Sequence, residues 1–375
     1  MRRAYLLTLT AVVGWSVGPV CGKALLQAQG PSGHPHPLQV AFWAIAFGWV
    51  FLFGYLAVRR RLRHLGDFDW RGWVILALMG FFGWAGYAGS LNVALARLAV
   101  PDAIVINYLH PVFTVVFQGA WFAVIVRPVS RWEDAGDQRH RPRAVSLAAG
   151  MGSCLLGVAV RATHGQLGAL GHMPSAVGAA AALFAAFAWG VYSNLGRFVA
   201  VRSHRGHRVA VPRPGCRDGG PPKAGLATDV QTFAAMTIGL AMLAAALVVG
   251  RMLVPPWGWQ AQFLLLGSRP VGVSAWQLAG VMGLALYCIG FTAWLAALDS
   301  GRQAGAPHRL PPLTYIAPIL GILLARVLLN EPLGPGFWQG AALIAVGNAV
   351  IALGQGQSGV RGAAGHRRMP RPTAA

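Results

Sequence analysis

Charged residues are scarce in this sequence. Only 11% of the 375 residues are charged, whereas 55% are hydrophobic, which excludes an ordinary water-soluble domain. A bilayer core of ~30 Å requires roughly 20 apolar residues in a helix that rises ~1.5 Å per residue. Most of the chain falls into runs of that length, so the sequence predicts an integral membrane protein without a separate soluble domain.

Catalytic and metal-binding motifs are also scarce. The four cysteines show neither a CxxC pair nor metal-ligand spacing, so neither a metal nor a cofactor is expected. The ten acidic residues all lie outside the middle of the apolar runs, which leaves no carboxylate pair for an enzyme that modifies lipid. The GxxxxGK[ST] motif of nucleotide-driven pumps is missing as well.

Ten apolar windows can each form a membrane-spanning helix. They are Ala4–Gln27, Leu38–Val58, Trp73–Ala96, Pro101–Val126, Ala144–Thr163, Ser175–Ala200, Val230–Val254, Ala275–Asp299, Arg309–Leu329 and Pro335–Gly354. The expected fold is therefore an all-α membrane protein with ten transmembrane helices.

Basic residues are distributed unevenly among the loops. If the N-terminus is cytoplasmic, 25 of the 31 Lys and Arg residues fall on the cytoplasmic side. Since Lys and Arg accumulate on that side of membrane proteins, both termini are predicted to be cytoplasmic. The net charge of +21 then reflects orientation in the membrane, and no nucleic-acid partner is expected. The predicted location is the cell (plasma) membrane, and in a bacterium the inner membrane.

The second half of the sequence repeats the first. The matching segments are Gly14–Lys23 with Ala188–Arg197, Trp73–Leu95 with Trp276–Leu298, Tyr108–Pro111 with Tyr315–Pro318, and Gly150–Val160 with Gly340–Val350. Because each unit holds an odd number of helices, the second unit should be inverted in the membrane, as in alternating-access transporters. The predicted units are residues 1–165 and 166–357, with a flexible basic loop at 201–229 and a disordered basic tail at 358–375.

The second half contains Pro318, Asn330-Glu331-Pro332-Leu333 and Trp338-Gln339-Gly340, in addition to the repeated Trp and Tyr segments. In these residues the sequence resembles the EamA-like branch of the drug/metabolite transporter superfamily. The resemblance implies a secondary transporter that moves a small organic metabolite, amino acid or drug across the bilayer. A lipid-linked or nucleotide-sugar flippase or exchanger of the same fold stays open, as does a membrane-embedded enzyme that modifies lipid.

Two positions depart from the family pattern. The family commonly has an acid at the end of the fourth helix, where this chain has Val124. An arginine often follows the aromatic pair of the second helix, where this chain has Ala44. The second departure implies a preference for less acidic substrates.

Polar and aromatic residues within the spans are the candidates for substrate binding, because a polar group inside the membrane is costly. The candidates are Trp15, Asn107, Tyr108, His110, Trp189 and Tyr315. His110 is also the candidate for a coupling proton, since histidine titrates near neutral pH. Each of these residues can instead serve packing or interhelical hydrogen bonding.

Two charged residues near helix ends are expected to have structural roles. Lys23 should extend to the membrane interface, and Glu331 should fix the turn that follows it. The oligomeric state is open, with a homodimer as one alternative.

The predicted orientation can be tested with reporter fusions. Fusions after Arg63, Gly136 and Gly215 should report a cytoplasmic location. Fusions at Gly33, Gly165 and Ser268 should report an external one. An external signal at Gly215 would contradict both the helix count and the inverted repeat.

Overall fold

The protein is described by a computed structural model for residues 2–28, 34–121, 144–162, 175–196, 199, 224–253, 267–268, 272–303, 313–314, 316–333, 336–347 and 349–350. Nearly all of these residues are helical. Six helices are long and apolar enough to cross a membrane, at Arg2–Leu26, Pro37–Val58, Trp70–Arg97, Ala176–Leu195, Asp229–Leu253 and Ala275–Trp294. The chain is therefore consistent with an all-α membrane protein. The remaining predicted windows also contain helix, and the count of ten spans stays a prediction.

The helices follow one another in the order of the predicted windows. They are α1 (Arg2–Leu26), α2 (Pro37–Val58), α3 (Trp70–Met79), α4 (Tyr87–Arg97), α5 (Val100–Asn107), α6 (His110–Trp121), α7 (Ala144–Ala162), α8 (Ala176–Leu195), α9 (Ala224–Leu253), α10 (Ala275–Met282), α11 (Phe291–Gln303), α12 (Ile316–Leu329) and α13 (Phe337–Gly347). A 3₁₀ turn covers Leu62–Asp67, and an antiparallel pair joins β1 (Gly267–Ser268) to β2 (Val273–Ser274).

Two π-helical segments join helices end to end. Gly80–Gly86 connects α3 to α4, and Gly283–Gly290 connects α10 to α11. The two segments begin at residues that the repeat pairs with each other. Each places a wide helical turn in the middle of a long span, a feature that is frequent at functional sites.

Side chains at the helix ends explain where several helices begin and end. Asp69 accepts a hydrogen bond of 2.6 Å from the backbone N–H of Gly72 and caps α3. Ser175 caps α8 by accepting a bond of 3.0 Å from Gly178. Asn330 follows α12 with φ at 53°, the left-handed conformation that ends many helices. α9 begins at Ala224, inside the predicted loop 201–229, whose other residues and the tail 358–375 lie outside the described residues.

The predicted fourth span is not one continuous helix. α5 ends at Asn107 and α6 begins at His110, both within the predicted window Pro101–Val126. Pro111 explains the break, because it has no N–H to donate to the carbonyl of Asn107 four residues earlier. The chain instead forms a tight turn, in which the N–H of Leu109 donates to the carbonyl of Ile106 at 3.1 Å.

The helices pack in pairs that involve both halves of the chain. α1 lies against α12 and along the α10–α11 span, while α8 lies against α6 and α4. α2 packs on the π-helical segment Gly283–Gly290, and α9 packs on the other segment, Gly80–Gly86. α2 and α9 also contact each other, so the two halves form one interlocked core.

Glycines permit the closest of these crossings. A Cβ atom at Gly283 would lie 2.6 Å from the backbone nitrogen of Gly48, and one at Gly80 would lie 2.8 Å from the carbonyl oxygen of Ala235. A side chain at either position would therefore collide with the backbone of another helix. Small residues at such positions let helices approach closely inside a membrane.

Substitution of Gly18 by leucine tests the packing of α1. A Cβ atom at Gly18 would lie 2.6 Å from Cδ2 of Leu286, whereas nothing lies within 4 Å of the same position at Gly54. Gly18→Leu should therefore abolish the monodisperse folded fraction in size-exclusion chromatography, and Gly54→Leu should retain it. Equal folded yields for the two variants would mean that this face of α1 does not meet another helix.

Candidate functional site

Trp15 and Trp189, the tryptophans that the repeat pairs with each other, meet in the structure. Trp15 lies on α1 and Trp189 on α8, and their ring centroids are 6.3 Å apart with the planes at 80°. Edge-to-face geometry of this kind is favoured for aromatic pairs. The contact joins the first half of the chain to the second.

Further rings surround this pair. The centroid of Trp189 lies 5.0 Å from Tyr87, 5.6 Å from Tyr192 and 5.2 Å from Phe291. The central aromatic cluster consists of Trp15, Tyr87, Trp189, Tyr192, Phe291 and Trp294, the last at 5.5 Å from Trp15. All of these rings except Phe291 are only half-buried, although the helices α1, α4, α8 and α11 enclose them. The cluster therefore lies where helices of the two halves meet.

The break between α5 and α6 places three more candidates beside the cluster. His110 lies 5.9 Å from Trp189 and 5.1 Å from Tyr108, measured between ring centroids. Asn107 is 5% exposed, and its side chain interacts with the phenol of Tyr87. Five of the six predicted site residues are thus brought together, and the sixth, Tyr315, lies outside the described residues.

Two of these residues carry polar atoms that lack hydrogen-bond partners within the described part of the chain. They are Nε1 of Trp15, which can only donate, and Oδ1 of Asn107, which can only accept. An unpaired polar atom in an apolar interior costs free energy. A bound solute that offers an acceptor and a donor would satisfy both atoms.

Formal charge is kept away from the cluster. Where the structure describes the chain, the cation–π contacts are those of Arg59 with Tyr55 and of Arg71 with Trp70, both outside the cluster. Ser16, one residue from Trp15, uses its hydroxyl in packing, at 3.0 Å from the carbonyl oxygen of Ala317 on α12. The cluster therefore suits a solute with apolar, planar surface rather than a strongly charged one.

Lys23 defines a second polar site farther along α1. Its ammonium group donates to the carbonyl oxygens of Leu95 at 2.8 Å and Leu98 at 2.9 Å, at the end of α4. It also lies 3.9 Å from the carboxylate of Glu331, and its side chain is only 14% exposed. The ammonium group of Lys23 thus binds carbonyls at the end of α4, and its extension to the membrane interface stays a prediction.

Glu331 receives opposing influences at this site. Burial raises the pKa of its carboxyl group, the charge of Lys23 lowers that pKa, and the charge of nearby Asp102 raises it again. The backbone N–H of Val100 also bonds the carboxylate. Glu331 thus has a role beyond the turn expected of it, since it joins the end of α12 to α1 and α5.

Sequence reasoning missed several of these residues. Phe291 and Trp294 have no aromatic mates in the repeat, because the constant offset pairs them with Ala88 and Leu91. Their spacing of three residues, which places both on one helix face, is a signal that could have found them. No local sequence pattern predicts the contact between Lys23 and Glu331, because 308 positions separate them in the sequence.

Stacked apolar helices, glycine crossings and an uncharged internal cluster define a multi-pass membrane protein. In a comparison with protein families, the model of the EamA-like transporter family matches residues 2–130, about a third of the chain. That family is part of the drug/metabolite transporter superfamily, so the resemblance seen in the sequence is confirmed. The family points to a transporter of the drug/metabolite type and argues against an enzyme.

A solved structure supports the shared fold. It carries only the description "Crystal structure of protein" and matches with a TM-score of 0.52 and 22% identity. The alignment covers 94% of this chain and 98% of the other. At that identity the likeness concerns the fold alone. The comparison with curated proteins gave no match.

Replacement of Trp189 tests whether the cluster stabilises the fold. Trp189→Ala removes a ring that contacts five others, so the packing that these rings supply to one another is lost. The thermal-unfolding midpoint of the purified protein should fall clearly, and Trp189→Phe should restore most of it. Trp338, which is 60% exposed, provides the matched control, and Trp338→Ala should leave the midpoint nearly unchanged. Equal effects at the two positions would contradict the packing described for the cluster.

Proposed function

We propose that this protein is a secondary transporter that moves a small organic solute by alternating access of two inverted five-helix repeats, residues 1–165 and 166–357. The family match over residues 2–130 supports the transporter class. The packing of the helices supports the repeats.

The crossings at the π-helical segments occur in mirrored pairs. Gly80 in the first half lies against Gly239 on α9, where a Cβ atom would be 3.0 Å from the backbone nitrogen. Gly283, the repeat mate of Gly80, lies against Gly48 on α2, where a Cβ atom would be 2.6 Å from the backbone nitrogen. Each half thus presents its π-helical segment to the second helix of the other half, as an inverted repeat requires.

The last helix of each unit shows the same mirroring. A Cβ atom at Gly157 on α7 would lie 2.6 Å from the carbonyl oxygen of Gly340 on α13. At Gly347 on α13 it would lie 2.5 Å from the carbonyl oxygen of Gly150 on α7. The sequence repeat pairs Gly157 with Gly347 and Gly340 with Gly150, so each of these two contacts is the repeat equivalent of the other.

The substrate site in this proposal is the central aromatic cluster. The observation that carries it is the meeting of Trp15 and Trp189, which come from equivalent positions of the two repeats and lie together at their interface. Inverted-repeat transporters bind substrate where the repeats meet, near the middle of the membrane. Asn107, Tyr108 and His110 complete the lining beside the break between α5 and α6, and Tyr315 is assigned to it by its pairing with Tyr108.

The chemistry of the lining indicates the kind of solute. Aromatic faces stack on planar or apolar groups and attract weak cations. The free Nε1 of Trp15 and Oδ1 of Asn107 would pair with polar groups of the solute. The proposal therefore favours an organic molecule with a planar apolar part and little negative charge, in line with Ala44 at the position where relatives often carry arginine.

Transport in sealed proteoliposomes tests this function. Candidate solutes come from mass spectrometry of cells with and without the protein, and each is then offered to vesicles that contain the purified chain. Uptake should be saturable, and Trp15→Ala or Trp189→Ala should remove most of it, whereas Trp338→Ala should not. A solute that is chemically converted without a gradient, or uptake that is unchanged in both cluster variants, would contradict the proposal.

A further inference from the structure

A basic surface lies where α2 turns into α3. Arg59, Arg60 and Arg63 are exposed just after α2, and Arg71 is exposed in the first turn of α3. These four residues are called the turn arginines below. In the predicted orientation this end of α2 faces the cytoplasm, so the turn arginines lie at the cytoplasmic surface of the membrane.

The acids of this region bind groups of the chain itself. Asp69 caps α3, and Asp67 contacts His64 at 2.8 Å. Asp229, at the start of the α9 span, forms an ion pair with Arg61. Five arginines of the turn thus face three acids, so the surface carries an excess of positive charge.

Two of the turn arginines lie over exposed aromatic rings. The guanidinium carbon of Arg59 is 5.9 Å from the ring centroid of Tyr55, and that of Arg71 is 5.3 Å from the ring centroid of Trp70. Tyr55 is 42% exposed and Trp70 is 68% exposed. Tyrosine and tryptophan concentrate at the headgroup level of a bilayer. These contacts therefore hold the turn arginines at the depth of the lipid phosphates.

An apolar groove lies between the middle parts of α2 and α9. It has a volume of about 300 Å³ and is lined by Phe42, Trp49, Thr237, Leu240, Ala241 and Ala244. Two polar groups of this lining already bind within the protein. Nε1 of Trp49 donates to the hydroxyl of Thr237 at 2.8 Å, and that hydroxyl donates to the carbonyl oxygen of Phe233 at 2.8 Å. The groove therefore suits a hydrocarbon chain better than a polar solute.

The groove lies within reach of a lipid that is bound at the turn arginines. Trp49 stands ten residues before Arg59, which corresponds to ~15 Å in a helix that rises ~1.5 Å per residue. On α9, Thr237 follows Asp229 by eight residues, or ~12 Å. Half of a ~30 Å bilayer core is ~15 Å, which is the depth that one leaflet spans. Both helices thus place the basic surface and the groove about one acyl chain apart.

We propose that this surface binds an anionic phospholipid, whose phosphate contacts the turn arginines and whose acyl chain lies in the groove. Basic residues at the membrane surface attract anionic headgroups, and the apolar groove accepts the chain. The bound lipid would join the two halves of the protein, because α2 belongs to the first half and α9 to the second. The inference is independent of the transport function proposed above.

A second copy of the chain fits this surface less well. Copies in one membrane share one orientation, so a two-fold contact through the groove would bring the turn arginines of both copies to the same end of the interface. Like charges repel each other there, whereas the phosphate of a lipid would neutralise them.

Native mass spectrometry of the full-length protein in a neutral detergent tests the headgroup site. The probes are phosphatidylglycerol and phosphatidylcholine with the same two oleoyl chains. Phosphatidylglycerol should bind more tightly, and Arg60→Gln/Arg63→Gln should weaken its binding about tenfold. Arg2→Gln/Arg3→Gln is the matched control, since it removes the same charge on the same predicted side at the start of α1. Equal binding of the two lipids, or an equal loss in the two double variants, would overturn the proposal.

A larger side chain in the groove tests the site of the acyl chain. Ala241→Phe fills the groove and should weaken the binding of phosphatidylglycerol, whereas Ala246→Phe, at an exposed position of α9 outside the lining, should not. Should Ala241→Phe fail to fold, Ala244→Leu fills the groove from the next turn of α9. Equal binding in the folded groove variant and in Ala246→Phe would refute the placement of the chain.

Two further measurements distinguish the lipid from other occupants. Glycerol phosphate and inorganic phosphate should not displace the lipid at equal concentration, because neither fills the groove. Displacement by either would mean a site for free phosphate and would overturn the proposal. Light scattering should show no dimer that Ala241→Phe dissociates, and such a dimer would assign the groove to a second copy instead.

Discussion

Close approach of helix backbones is the constraint on which the rest of this structure depends. Lipid tails are as apolar as leucine side chains, so helices in a bilayer gain little from hydrophobic burial against one another. They associate through van der Waals contact, which requires small residues where they cross. The crossings at Gly48, Gly80 and Gly283 meet that requirement, because a methyl group at any of them would collide with another helix.

These crossings determine where the candidate site residues lie. Gly14 brings α1 against the carbonyl of Ala285, and Gly290 lies directly beneath the indole of Trp15. Because these residues are small, the indole ring of Trp15 fits between α1 and the α10–α11 span. Trp189 on α8 contacts this ring. The same packing carries α1 onward to the end of α4, where the ammonium group of Lys23 finds two free carbonyl oxygens. Uncharged aromatic contacts therefore occupy the centre of the bundle, and ion pairs occupy its ends.

The sequence was most informative about features that depend on the residues of one helix alone. Apolar length located the helices, and the repeat placed Trp15 and Trp189 at equivalent positions. The sequence was least informative where a contact depends on the backbone of another helix. Lys23 binds carbonyl oxygens, which every residue possesses, so its partners could not be inferred from residue types. The membership of Phe291 and Trp294 in the cluster depends in the same way on the angle at which α11 passes α1.

One pair of contacts has a consequence for how the two halves can diverge. At one crossing Gly18 on α1 accommodates Leu286, and at the mirrored crossing Gly83 accommodates the ring of Tyr192 on α8. The glycine and the bulky side chain are exchanged between the two crossings. The bulky residue belongs to the π-helical segment in the first crossing and to α8 in the second. A substitution at Leu286 or Tyr192 therefore alters one crossing and leaves its mate untouched. Single side chains can therefore change the two related crossings independently of each other.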